Sequence, residues 1–271
     1  MTQFLHQITQ LELPTSTEIR IASSGDVKPE NAYIIGLLYA FNPTSNRSFS
    51  VELYQKNMFN LVLLRPGQDL FSGFVATKPE NAFIQGNSNN KGLEFRYKEH
   101  LKWLDVQFAY ALASARLKFN ALNNAKPFPA AQSGTHNLNA VLSARLNRQI
   151  SFSGTFAYAS GQKITVPGQF YKSLDAALGI NPGDLAFSYQ SAGINTYSMP
   201  DEYKLDIGFM YKKTSKKGNE RVWSGGINGL ISNTRPRYIY QNIYNFTGKV
   251  DIERVGSIGF FPFINYCYKF R

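Results

Sequence analysis

The chain has 271 residues, a net charge of +11, 14% aromatic residues (21 Phe and 16 Tyr) and only 17% charged residues, against roughly 25% charged in soluble proteins. Its single cysteine, Cys267, excludes an internal disulfide and a cysteine-based metal site, and no apolar run nears the ~18 residues of a transmembrane helix. The basic residues are spread over turns and loops (Arg47, Lys98, Lys102, Arg148, Lys212, Lys213, Lys216, Lys217), which argues against a nucleic-acid partner.

Met1 to Leu13 has neither the basic start nor the apolar run of a signal peptide. Beyond residue 30 the dominant signal is alternation with a period of two, which predicts strands. Asn31–Asn42 places Tyr33, Ile35, Leu37, Tyr39 and Phe41 on one face, but it is apolar on both faces and its orientation stays open. Arg47–Asn57 sets Phe49, Val51 and Leu53 against Ser48, Ser50, Glu52 and Tyr54. Gly92–Lys98 and Leu104–Leu112 follow, then His136–Leu146, Gln149–Ala159, Glu202–Lys212, Arg221–Ile231 and Val255–Phe270. These make about nine strands, each near the ~9–11 residues that a tilted spanning strand needs.

The apolar faces carry no charge and end in Tyr97, Tyr110, Tyr158, Tyr203, Tyr211 and Trp223, while Ser, Thr, Asn and charged residues fill the opposite faces. The connections alternate. Short ones fall at Pro43–Asn46, Glu99–Lys102, Asn147–Arg148 and Thr214–Asn219, and long ones at Arg65–Lys91, Ala113–Thr135, Gly161–Asp201 and Asn233–Arg254. Alternation alone is equally consistent with a soluble sandwich. Aromatic strand ends and short turns on one rim favour an antiparallel up-and-down transmembrane β-barrel. No catalytic constellation stands out. His6, His100 and His136 are expected at strand-end hydrogen bonds, and Glu52, Glu94, Asp105 and Asp206 are expected to pair across strands with Arg96, Arg145 and Lys204. Gly225-Gly226 is expected to ease strand curvature.

Several segments resemble TonB-dependent receptors of the Bacteroidota type. Leu13-Pro14-Thr15 through Val27-Lys28-Pro29-Glu30-Asn31-Ala32-Tyr33 is similar to their "LP…(I/V)KPE…Y" approach to a barrel strand. Tyr54-Gln55-Lys56-Asn57-Met58-Phe59-Asn60-Leu61 resembles "YYKKMxNL", and Gly86 with Lys91-Gly92-Leu93-Glu94-Phe95 resembles "GxGxxxGLEF". Phe128-Pro129-Ala130, His136 and Phe156 through Thr165 are similar to "FPxxxDxRHxL…WxYxTGxxIT". Met199-Pro200-Asp201-Glu202-Tyr203 looks like "RMPxYHRLDL", and Gly259 to Phe270 like "xLFPxxPSxxYxxKF". The likeness runs along nearly the whole chain in order. It departs at Ser133-Gly134-Thr135-His136, which reduces the family's "DRRH", and at Asn228 to Pro236, which keeps only the loop end of "YNVYNRxNP". Phe270 is followed by Arg271 where the family ends on an aromatic residue, and no plug domain or energy-coupling box precedes the strands.

The resemblance implies a non-enzymatic outer-membrane receptor fragment. Residues 1–30 would be an extracellular lead-in and residues 31–271 the C-terminal part of an incomplete barrel wall. The full receptor would take up a scarce ligand such as a ferric siderophore, cobalamin or a glycan, with no cofactor of its own. Implied partners are outer-membrane lipid, the missing N-terminal barrel half and plug, the TonB complex acting through that plug, and the barrel assembly machinery. Aromatic and basic residues of the long loops are the candidate ligand contacts: Phe170, Tyr171, Lys172, Tyr189, Tyr197, Arg235, Arg237, Tyr238, Tyr240 and Tyr244. Two other readings remain: a passive porin-like barrel, and a soluble carbohydrate-binding β-sandwich.

Overall fold

Every strand leaves unpaired N–H and C=O groups along both edges, and a tight turn lets the next strand satisfy them. The computed structural model describes residues 2–3, 5–10, 17–65, 82–131, 133–165, 167–172, 187–191, 193–215, 218–233, 238–243, 250–255 and 259–270. In chain order the strands are β1 (Thr2–Gln3), β2 (Leu5–Gln10), β3 (Thr17–Ala22), β4 (Glu30–Thr44), β5 (Arg47–Leu64), β6 (Phe83–His100) and β7 (Leu104–Phe119). Next come β8 (Phe128–Pro129), β9 (His136–Arg145), β10 (Ile150–Ala159), β11 (Lys163–Ile164), β12 (Pro167–Lys172), β13 (Phe187–Ser191) and β14 (Tyr197–Ser198). The last are β15 (Glu202–Thr214), β16 (Glu220–Asn233), β17 (Tyr238–Ile243), β18 (Val250–Val255) and β19 (Phe261–Lys269).

The main sheet is antiparallel, in the order β1-β4-β5-β6-β7-β9-β10-β15-β16-β19, with β8 folded back on β7. The nine strands expected from alternation are its nine long members. Among the described residues its two edges do not pair with each other, so the sheet is open. The four short connections fall where alternation breaks. At the β9–β10 turn the Asn147 Oδ1 accepts from the backbone N–H groups of Gln149 and Ile150, both at 2.8 Å, which is how an Asn side chain imitates a backbone turn.

Two expectations are corrected. Val255–Phe270 is not one strand: Val250–Val255 forms a hairpin with Tyr238–Ile243, and β19 begins only at Phe261. The expected span joined the last residue of one element, Val255, to the alternating face of another. Pro262, which has no N–H to donate, sits in the sheet opposite Ile227 because β19 is an edge strand. Second, β5 and β7 run well past Asn57 and Leu112, and β6 starts nine residues before Gly92. In β5 and β6 the extra lengths lack the alternation that marks a one-sided apolar face, whereas in β7 alternation continues with its apolar set moved to Ala113, Ala115, Leu117 and Phe119.

The long connections carry structure of their own. Residues 1–30 contain the hairpin β2–β3 and the short β1 beside β4. The Gly161–Asp201 connection holds the paired β12–β13, with β11 and β14 at its base. Among the described residues, buried apolar side chains lie only at the end of the long connections. Ile84, Phe119 and Phe128 form one cluster, joined by Leu61, Leu63, Leu117, Leu122 and Ile194, and Ala82 and Phe83 form another with Ile21, Val62 and Leu64. Asn195 ties the loops together. Its N–H donates to the Thr165 hydroxyl at 2.9 Å and its Nδ2 donates to the Pro129 carbonyl at 2.8 Å.

Candidate functional site

Register partners share a face of an antiparallel sheet and side chains alternate along each strand, so the pairing assigns every side chain to one of two faces. Tyr39, Val51, Phe95, Tyr110, Leu138, Tyr158 and Tyr203 lie in one continuous row on the apolar face. Ile150, Tyr211, Trp223 and Tyr266 form a second row toward the tight turns, where the Trp223 and Tyr266 rings are 4.6 Å apart. Between the two rows stand Leu205, Ile207 and Phe209 on β15, Phe152 and Phe156 on β10, and Ala140, Leu142 and Ala144 on β9. None of these carries charge.

These side chains are bare. Phe152, Ile207, Phe209 and Leu142 are 48%, 40%, 42% and 49% exposed, and among the described residues no second layer covers the stretch between the two rows. From Tyr203 to Tyr211 is about 27 Å of strand at ~3.4 Å per residue. The apolar stretch also slides against the register. Its midpoint is Phe95 on β6, in the row of Tyr110, but Ile207 on β15, in the row of Val106. On β19 it is Ile264, in the row of Leu104. The slip is about one residue per strand, and a rise of ~3.4 Å against a strand spacing of ~4.8 Å corresponds to a line tilted about 35° from the rows.

The register also resolves β4. Tyr33, Ile35, Leu37, Tyr39 and Phe41 share the apolar face with Phe49, Val51 and Leu53, while Ile34 and Leu38 stand opposite Lys56 and Glu52 on the other.

The opposite face is polar. Ser50, Arg96, Ala109, Asn139, Ala157 and Lys204 form one of its rows, and Ser48, Lys98, Gln107, Val141, Thr155 and Asp206 another. The expected cross-strand ion pairs are met in part. Arg145 reaches Asp105 across β9 and β7 at 3.3 Å. Arg96 instead pairs with Glu94 at 2.5 Å and Lys204 with Asp206 at 3.0 Å, each two residues along its own strand. The reason for the first lies in the register: Glu52 faces Glu94 directly, a like-charge pair that a neighbouring guanidinium relieves. Toward the tight turns this face holds a concavity of about 720 Å³ lined by Ser48, Lys98, His100, Asp105, Gln107 and Ser143 among others.

His100 contacts Asp105, and His136 Nδ1 lies 2.8 Å from the Tyr110 hydroxyl, both at strand ends as expected. The side chain of His6 lies outside the described ones. Gly226 meets the Ile207 carbonyl so closely that a Cβ would sit 2.2 Å from it. Beside it Gly229, at φ +68°, stands in a bulge where the register skips between Leu205 and Ile207, and its N–H donates to Asp206 at 2.6 Å. Left-handed backbone of this kind favours glycine.

The loop candidates are distributed over separate elements. Phe170 on β12 is register partner to Tyr189 on β13, with Tyr171 and Lys172 beside it. Tyr238 and Tyr240 lie on β17, and Tyr197, half exposed, on β14. Arg235, Arg237 and Tyr244 lie outside the described residues. The alternation pattern missed the interlocked loop base around Phe119, Phe128 and Asn195, because Phe119 lies beyond the predicted strand end. It also missed Lys91, Arg116 and Lys118, which extend the apolar face into the polar run of β6 and β7.

At the rim of the long connections the Asp201 carboxylate accepts from the Tyr158 hydroxyl at 2.8 Å and the Gly161 N–H at 2.9 Å. These donors, Tyr158 first, hold its carboxyl below the usual carboxylate range. A group whose folded value is depressed contributes stability above its unfolded value, near 3.9, and loses that contribution as pH falls through the folded one. In a carbon-13 titration Asp201 should therefore show a midpoint below that of a free aspartate, and Tyr158→Phe should move it upward. An unchanged midpoint would show that the tie is not made.

No family model matches the chain, and no curated protein matches it.

Proposed function

We propose that this chain is a section of the wall of an outer-membrane β-barrel, the C-terminal portion of a receptor of the TonB-dependent kind, whose complete form takes up a scarce ligand. The observation that carries the reading is the apolar face: uncharged, uncovered along its band, and bounded on β15 by Tyr203 at one border and Tyr211 at the other. A soluble sandwich would bury such a face against a second layer. Lipid requires it bare, within a band about 25 Å tall with aromatic girdles at its borders.

Two further observations support the same reading. Strands of membrane barrels tilt by roughly 35–45°, and the slip of the apolar band against the register corresponds to a tilt at the lower end of that range. Short turns at one rim and long structured connections at the other are the pattern of such barrels. The polar face would then line a watery interior, and its Ser, Asn and paired charges suit contact with solvent or a plug. The open edges of β4 and β19 would need further strands, since each unsatisfied backbone group costs several kcal/mol in hydrocarbon. The choice of an energised receptor over a passive porin rests on the sequence resemblance, and a plug-encoding segment upstream in the same transcript would distinguish them.

The first experiment is refolding into detergent followed by electrophoresis with and without boiling. A membrane wall should enter the detergent phase and migrate differently when left unheated. A protein that stays in the aqueous phase, with one mobility under both conditions, would contradict the proposal.

A further inference from the structure

Above the apolar band, on the same face, β6 and β7 carry a basic stripe. Lys91 stands in the row of Ser114, Asn89 in that of Arg116 and Asn87 in that of Lys118. The three basic side chains are exposed. Among the described residues no carboxylate pairs with any of them; their neighbours on β5, β6 and β7, Gln55, Asn57, Asn87, Asn89 and Ser114, are neutral and polar, and the rows end in Ile35 and Tyr33 on β4 and Pro129 on β8.

Directly below the stripe the surface is hollowed. A concavity of about 730 Å³ is lined by Leu37, Leu53, Leu93 and Leu112, with Gln55 and Lys91 at its upper rim. Behind it, on the polar side, the Tyr54 ring covers Gly92. The four leucines are register partners in one row across β4 to β7, and Lys91 stands beside that row with Arg116 and Lys118 beyond it. Along the strands apolar surface therefore gives way to cations, as a lipid's chain gives way to its headgroup.

We infer that this part of the wall is a binding site for a phosphate-bearing membrane lipid, with its acyl chain crossing the row of four leucines and its phosphate held by Lys91, Arg116 and Lys118. The inference rests on the membrane reading above. Lys91 stands two residues beyond Leu93, about 7 Å along the strand, so its ammonium reaches headgroup level with its stem lying on the apolar rim. Arg116 and Lys118 lie further out and suit the outer oxygens of the same group, where a guanidinium can bind two at once. Charge complementarity selects the occupant: a zwitterionic lipid would bring its own cation to a surface that already holds three.

The test is flotation of the full chain with two vesicle preparations, phosphatidylcholine alone and phosphatidylcholine mixed equally with phosphatidylglycerol, at low salt. The wild type should bind the mixed vesicles at least about tenfold more tightly, in line with the attraction of several basic residues to an anionic surface. Lys91→Gln with Arg116→Gln and Lys118→Gln should remove that preference while keeping insertion, whereas Lys212→Gln with Lys213→Gln at the opposite rim should keep it. Glycerol phosphate at equal phosphate concentration should not compete. Equal binding to both vesicles by the wild type, or a preference that survives the triple change, would overturn the lipid site and leave the membrane wall standing. Failure to insert into either preparation would sink both.

Discussion

Phe119→Ala should destabilise the long-connection end of the molecule by about 3–5 kcal/mol, the usual cost of emptying a fully buried aromatic position. Phe119 is 1% exposed and packs on Phe128, ring centres 6.3 Å apart, and on Ile84. These residues join the end of β6, the end of β7 and the returning β8, and Ile194 brings in the β10–β15 connection. The expected phenotype is local. Protease should cut within residues 120–135 and 160–201 far sooner than in wild type, while the far-ultraviolet strand signal persists. A variant with wild-type protease resistance would show that the cluster is not the base on which the loops stand.

The second large effect separates the two faces of one strand pair. Ile207 lies at the centre of the apolar band and pairs with Gly154, whereas Ser153 beside it points to the polar face opposite Gly208. Ile207→Arg should cost roughly 2–4 kcal/mol, the penalty for arginine at the lipid-facing midplane of a barrel. Ser153→Arg should stay within about 0.5 kcal/mol, as a solvated position allows. Urea titration of both variants in lipid vesicles measures the difference. Equal costs at the two positions would mean that the faces do not see different solvents.

What the sequence could disclose follows from the same asymmetry. Where a strand has lipid-like surface on one side and polar surface on the other, as Glu202–Lys212 does, period-two alternation marks it and the strand is found. Where both sides meet the same surroundings the signal vanishes. The first half of β6, with Asn87, Asn89 and Asn90 among its residues, has no apolar face to announce it, and β4, apolar on both sides, could be oriented only through its register with β5. The last expected strand failed for a different reason. Val255 is out of phase with Phe260 and Ile264 and closes a hairpin whose partner, Tyr238–Ile243, no local pattern reveals. Ion pairing was foreseen by charge but not by partner. Arg96 lies opposite Ser50 and Ala109, so its guanidinium turns to Glu94 on its own strand. The ligand candidates were legible only as residue types in long loops, and pairing joins Phe170 with Tyr189 while leaving Tyr238 and Tyr240 on a separate hairpin.

The most direct measurement is a scan of single spin labels along β15, from Tyr203 to Tyr211, in lipid vesicles, with the one native cysteine removed as Cys267→Ser. Labels at 205, 207 and 209 should collide with dissolved oxygen and be shielded from a water-soluble nickel chelate, and labels at 204, 206, 208 and 210 should show the reverse. Labels at 205, 207 and 209 shielded from both reagents would place protein over that face, and a membrane wall would no longer describe this sheet.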